Sequence, residues 1–272
     1  MTETPQALGK WSNAPLALVV AQIRFEPFAG MSPDELLAAF HPHISTEFPE
    51  SVPVQPITIH IGQPPADQPS ASSVIIGYDL FSDSGTRVVR LQPGVLTYSV
   101  TSYWDYPRFS AEWNRSLTVL CRIGEVKGLR LGLRYVDFII PMNGRVPEDY
   151  VVAPLGVSPT GDEKPPVILN LFEYDRTIGK MRIQYGRGFG SPDYPPDLQG
   201  MVIPPSNLKA QYKGGLSAVL DMDRWIEFMP TVMQQMEITQ HFQNMHDDMS
   251  KIFKQITTNL AHNEWGSTDI KG

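Results

Sequence analysis

Proline placement constrains this chain more than any other feature of its sequence. There are 25 prolines in 272 residues, nearly double the ~5% of an average protein. Seven fall between Pro42 and Pro69 and eleven between Pro141 and Pro205, while the apolar-periodic segments are almost free of them. Proline cannot donate to a β ladder and breaks a helix interior, so the two rich stretches read as long connections around a compact framework.

The framework opens with an extended run from Pro15 to Phe25, in which Ala17, Val19, Ala21, Ile23 and Phe25 share one face. The other face begins apolar and ends with Gln22 and Arg24, as in a strand buried on both sides for most of its length. Ser32-Pro33-Asp34-Glu35 combines an N-cap serine, a proline at the first helical position and a capping-box glutamate. A short helix is expected there, with Leu36, Leu37, Phe40 and Ile44 inward and a stop or kink at Pro42. Between Val74 and Val100, β-rich runs alternate with Ser82–Gly85 and Pro93-Gly94, the pattern of an antiparallel meander. Phe109, Trp113, Leu117 and Leu120 then advance by helical spacing towards a stop at Gly124.

The second half repeats this order. A strand from Leu129 to Ile140 precedes the second proline-rich insert, a hairpin of Val167–Tyr174 with Lys180–Tyr185, and an extended region from Leu208 to Met222 interrupted by Gly214-Gly215. A long amphipathic C-terminal helix is expected from about Pro230 to His262, with Phe242, Met245, Met249, Ile252, Phe253, Ile256 and Leu260 in one stripe. The fold class that follows is α+β: antiparallel-rich sheets with packed helices in a single compact unit, 1–272. The element order suggests two related halves, 14–126 and 127–264, and residues 263–272 read as a flexible tail.

Charge and composition exclude several functions. Hydrophobic residues make up 42% and charged residues 19%, an ordinary globular balance. A net charge of −7 offers no overall positive field to gather nucleic acid or an anionic membrane. The basic-rich stretch of Arg108, Arg115, Arg122, Lys127, Arg130 and Arg134 is diluted by acids and does not share one face. The longest apolar run, Ala14 to Ala21, is far short of the ~20 residues of a membrane helix, and MTETPQALGK lacks a signal-peptide core. A lone cysteine, Cys121, permits no internal disulfide and fits a reducing compartment. A cytoplasmic location is therefore expected.

Motifs for common chemistries are missing. Gly186-Arg-Gly188-Phe-Gly190 has its third glycine one place too early for a dinucleotide fingerprint, and reads as a glycine turn. No phosphate loop or G-x-S-x-G elbow is present. His41, His43 and Glu47 make a weak metal candidate. His241 and His246 stand about 140° apart on a helix, so they do not chelate one ion; His246, followed by Asp247 and Asp248, reads as a helix-surface group. No metal, cofactor or catalytic residue is assigned.

Four segments carry a family resemblance: Ala14–Phe25, Gly128–Asp137, Leu220-Asp-Met-Asp223 and His246–Phe253. Together they resemble a sporadically distributed family of uncharacterised bacterial proteins of similar length, in which asparagine is more frequent where Asp137 stands here. The resemblance spans nearly the whole chain. It implies a bacterial cytosolic protein in an accessory or conflict-related role and supplies no catalytic residues.

Two residue groups stand out as candidate sites. Tyr103, Trp104, Tyr106, Arg108 and Trp113 concentrate aromatic area and guanidinium at a strand-to-helix corner, the composition of interface hot spots. With the methionines between Met222 and Met249, they suggest a surface for a protein partner. Gln22, Arg24, Arg90, Arg134 and Asp137 are polar residues lodged in apolar strands, where an unpaired charge is costly. Converging, they would line a cavity for a small anionic ligand. The leading expectation is a non-enzymatic recognition or accessory factor in a defence, toxin–antitoxin or other conflict system, with a homo-oligomer as a further option. The competing one is an anion-binding or enzymatic α+β module with an arginine-lined cavity.

Overall fold

A computed structural model describes residues 11–56, 74–156, 167–198, 201, 203 and 207–266. The leader reading of residues 1–10, parts of both proline-rich stretches, and residues 267–272 of the expected tail lie outside them. In chain order the elements are β1 (Leu16–Phe25), α1 (Pro33–Phe40), β2 (Glu50–Val54), β3 (Gly77–Phe81), β4 (Arg87–Gln92), β5 (Val95–Val100), α2 (Tyr106–Ile123) and β6 (Lys127–Ile139). They continue with α3 (Ala153–Gly156), β7 (Ile168–Asp175), β8 (Lys180–Phe189), β9 (Leu216–Val232), α4 (Gln235–Ile256) and α5 (Asn259–Glu264).

Alternation along β1 sets the two faces of the sheet. Val19, Ala21, Ile23 and Phe25 join the larger core beneath the helices, whereas Leu18 and Val20 join a smaller one on the opposite side. The nine strands among the described residues belong to one antiparallel sheet in the order β2-β3-β4-β5-β1-β6-β9-β8-β7, an α+β architecture. From the central pair outward the order is β1, β5, β4, β3, β2 on one side and β6, β9, β8, β7 on the other. α1, α2 and α4 pack on one face, with α2 against α4 and α4 over β6. Tyr194, Leu198, Met201, Ile203 and Leu208 cover part of the other face, over Val136 and Phe138. No helix among the described residues is long and apolar enough to cross a membrane.

Local chemistry accounts for the helix starts. Ser32 N donates to Glu35 Oε2 at 2.8 Å, and Ser32 Oγ accepts from Glu35 N at 3.3 Å, a reciprocal cap for α1. Asp105 accepts from Arg108 N at 2.8 Å to open α2. Gly94 turns β4 into β5 with φ +81°, and a Cβ there would stand 2.8 Å from Phe25 O. Only glycine satisfies both constraints.

Several sequence expectations need correction. The first proline-rich stretch contains β2; Pro53 is tolerated because β2 is an edge strand, paired only with β3. The Gly186–Gly190 segment is not a turn, because β8 runs through Phe189 and leaves only Gly190 outside. The extended region expected from Leu208 starts later, since Asn207–Gln211 is a 3-10 turn and β9 opens at Leu216. β9 also continues past Pro230, where a register shift between Gly128 and Arg130 on β6 absorbs the proline. The C-terminal helix consequently begins at Gln235. It ends at Ile256 because Thr257 is extended and bridges Val151, after which Thr258 caps α5.

Candidate functional site

A group of aromatic and titratable side chains gathers around a cavity where the start of α2 and the middle of α4 meet β6. Tyr103, Tyr106 and Pro107 approach from the α2 side, Tyr135 and Asp137 from β6, and His246, Ser250, Phe253 and Lys254 from α4. Ala14, Pro15 and Leu16 close one side, beside Trp11. They surround a cavity of about 360 Å³, at the lower end of the roughly 300–1,000 Å³ of small-ligand sites. Trp11 is held there by stacking on Trp265, with ring centroids 5.8 Å apart, while Asn13 N donates to Trp265 O at 2.9 Å.

His246 organises one wall. Its ring stacks on Tyr106 at 3.7 Å with an interplanar angle of 2°, and its Nδ1 shares a 2.8 Å hydrogen bond with Tyr135 Oη. Tyr103 in turn meets the Tyr135 ring edge-on at 6.3 Å. The expectation of a surface histidine is thus corrected. Position 246 follows Phe242 by four and precedes Met249 by three, which turns it inward with them. That spacing was the available signal; the adjacent acids Asp247 and Asp248 obscured it.

Burial sets the protonation of these groups. It pulls the His246 imidazole down to about 4, only partly opposed by Asp247, so the ring is neutral at pH 7. It pushes the Tyr106 phenol up to about 12, and those of Tyr103 and Tyr135 above their ordinary range. Asp137 is 3% exposed. Burial, with a smaller contribution from the Asp221 carboxylate, pushes its carboxyl up to about 8. Among the described residues its carboxyl oxygens have neither a hydrogen bond nor an ion pair, and they face the cavity.

The sheet divides the polar residues that sequence alone grouped together. Side chains alternate between faces, so Arg134 and Asp137, three apart on β6, point to opposite sides. Arg134 donates to Asp221 at 2.7 and 2.6 Å and to Asp197 at 2.6 and 3.0 Å. Burial lowers its pKa, but the bonds to both carboxylates outweigh that and raise it overall. Arg90 forms a two-bond fork with Asp79 at 2.7 and 2.8 Å, and Gln22 donates to Thr97 Oγ1 at 3.1 Å. Strand register sets Asp79, Arg90, Thr97 and Gln22 in one row across four strands. Arg130 extends it, with Gln22 at 3.4 Å and Asp223 at 3.6 Å.

Arg24 is exposed and lies opposite Arg130, whereas Arg134 lies opposite Val20. Four strand positions, roughly 13 Å, separate the two arginines along the sheet. The five residues do not converge, and Asp137 alone of them reaches the cavity.

The aromatic corner also divides. Tyr103 and Tyr106 line the cavity, while Trp113 is 1% exposed and packs edge-on against Phe242 at 5.2 Å, unavailable to a partner. Trp104 and Arg108 border a second cavity of about 260 Å³, with the guanidinium 4.9 Å from the indole centroid. Glu112 there accepts from Arg87 at 2.9 Å, from Arg108 at 3.4 Å and from the Tyr98 hydroxyl, which ties up the positive charge.

No family model, curated protein or solved structure matches this chain.

The remaining candidates serve other ends. His41 Nε2 lies 2.8 Å from Phe48 O, and Glu47 pairs with Arg115. No three metal-ligating side chains converge among the described residues. Cys121 is partly buried on α2, which raises its thiol pKa. Met222, Met233, Met245 and Met249 fill the core, leaving Met229 and Met236 exposed. In the basic-rich stretch, Arg115 pairs with Glu47 and Lys127 with Glu26, as Arg108, Arg130 and Arg134 pair with their own carboxylates.

Proposed function

We propose that the chain is a non-enzymatic recognition module that binds a compact ligand group in the cavity walled by Tyr103, Tyr106, Tyr135 and His246. The observation that carries this reading is Asp137: a residue 3% exposed that lines a ligand-sized space and, among the described residues, lacks any polar partner for its carboxyl. Such a group is costly unless something that enters the cavity satisfies it. Binding is favoured over turnover because His246 Nδ1 is engaged by Tyr135, while Ser250 Oγ stands 3.5 Å from both ring nitrogens. That is longer than the ~2.6–3.2 Å of an aligned nucleophile–base pair.

The family resemblance supports an accessory role in the bacterial cytosol, in a defence, toxin–antitoxin or other conflict system. The mirrored strand order around β1 and β6 supports reading 14–126 and 127–264 as related halves whose central seam supplies the cavity wall.

A fragment library screened by ligand-observed NMR tests the function. Hits are expected with the parent chain and should disappear in Ser250→Phe, which fills the cavity. Far-UV circular dichroism and melting confirm that the variant is folded. Hits that persist unchanged in the folded variant, or a screen with none, would refute the cavity as the binding site.

A further inference from the structure

The cavity pairs two features that rarely coincide: several aromatic faces and one buried acid without a partner. The rings of Tyr103, Tyr106 and Tyr135 line the cavity, one face of Tyr106 being covered by His246, and aromatic π faces attract cations where water is excluded. Asp137 is the only carboxyl lining the cavity that is almost fully buried; Asp105 lies exposed at its edge. The arginines of the opposite face are committed to Asp79, Asp221 and Asp197, and the sheet stands between them and this carboxyl.

We propose that the cavity takes an organic ammonium group, its charge paired with the Asp137 carboxylate and its alkyl substituents packed on the tyrosine rings. The assignment rests on the binding reading above and deepens it. A neutral guest can hydrogen-bond to the carboxyl but leaves its charge uncompensated; an ammonium supplies a countercharge, and no described residue forms an ion pair with Asp137. Aromatic walls with an acid beneath them suit a quaternary or alkylated amine, because its charge is spread over methyl groups that also bury apolar area.

Pairing requires the ionised carboxylate, so binding displaces a proton. The groups facing this centre are Asp105 and Tyr106 from the α2 end, Tyr103, Tyr135 on β6, and His246, Asp247 and Lys254 on α4, while the charge of Asp221 acts on Asp137 from the other face of the sheet. His246 is already neutral above about 4. Affinity for an ammonium is therefore expected to rise with pH and level off above about 8, where Asp137 is ionised without help.

Choline and its neutral isostere 3,3-dimethylbutan-1-ol are the probes, titrated into the full chain by NMR at pH 6.5 and pH 8.5. At the higher pH choline should bind at least ~10-fold more tightly than the alcohol. Asp137→Asn should remove that advantage and leave the affinity for the alcohol unchanged. A peptide bearing trimethyllysine, run beside choline, distinguishes sources. Tighter binding of the peptide supports a partner protein's side chain as the ammonium donor; preference for choline supports a free small molecule.

Equal affinity for choline and the alcohol, an unaltered choline affinity in Asp137→Asn, or no saturable choline binding up to about 50 mM would overturn the ammonium assignment. The cavity reading survives such a result if Ser250→Phe still expels the alcohol. It falls with the assignment if both probes bind the folded Ser250→Phe variant as they bind the parent.

Discussion

Arg134 and Asp137 stand three residues apart on β6 and meet opposite fates. On the face away from the helices, Arg134 is closed in by four bonds to two carboxylates, and the row from Asp79 to Gln22 is similarly paired. On the helix face Asp137 is as deeply buried as its neighbours and has no such partner. A buried charge that is fully paired contributes little net stability but costs much when one partner is removed. A buried acid left alone is costly from the outset. The two faces therefore separate a paired network from an acid that the described residues leave without a partner.

The largest expected effect sharpens that contrast. The folded-state pKa of Asp137 lies above its ordinary value of 3.8, so the folded chain retains a proton that the unfolded chain releases. Its contribution to stability is full below 3.8 and is lost as pH rises to about 8. Asp137→Asn should remove this decline. Relative to the parent it should gain about 5 kcal/mol between pH 4 and pH 8, read from urea titrations as a difference between the two chains. Parallel curves would mean that the carboxyl is paired after all.

Arg134→Met probes the other face. It leaves Asp221 buried without its partner and is expected to cost about 4 kcal/mol at pH 7 by chemical denaturation. A loss below about 1 kcal/mol would show that the row is not a closed network. Choline affinity should be unaffected, because Arg134 lies across the sheet from the cavity.

His246 titrates in the opposite sense to Asp137. Its folded pKa of about 4 lies below 6.5, so the unfolded chain binds the extra proton, and stability rises with pH between those values before levelling off. His246→Gln should abolish that rise, worth about 2–3 kcal/mol across the window, and cost a further ~1 kcal/mol for the Tyr135 bond. A retained rise would mean that another group carries it. The smallest effect belongs to Trp104→Ala, which forfeits an exposed cation–π contact of about 0.5 kcal/mol and should leave choline affinity unchanged.

Much of the framework was legible before the coordinates. The capping box at Ser32–Glu35, the meander turns and the α2 stripe are local patterns whose physics acts within a few residues. Pro230 misled because proline is excluded from a regular ladder, while the bulge that admits it depends on β6, a hundred residues away in sequence. Tyr103, Tyr106 and Asp137 were singled out, but as members of two separate groups. Their union depended on His246, whose bond to Tyr135 joins residues 111 apart. Trp113 belongs to both the α2 stripe and the aromatic corner in the sequence, and the stripe, with Phe109 and Leu117 on either side, is what places it in the core.

By itself the sequence determined the element types, the alternation of polar and apolar positions along each strand, and the presence of charges that had to be paired or exposed. Local geometry suffices for these, since rotamers, caps and strand parity are properties of neighbouring residues. Tertiary structure decided which charges found partners: strand order and register brought Asp221 and Asp197 to Arg134 and, among the described residues, none to Asp137. Pairing is a relation between distant segments, so only the assembled sheet and the helices laid across it distinguish a neutralised belt from an open acid.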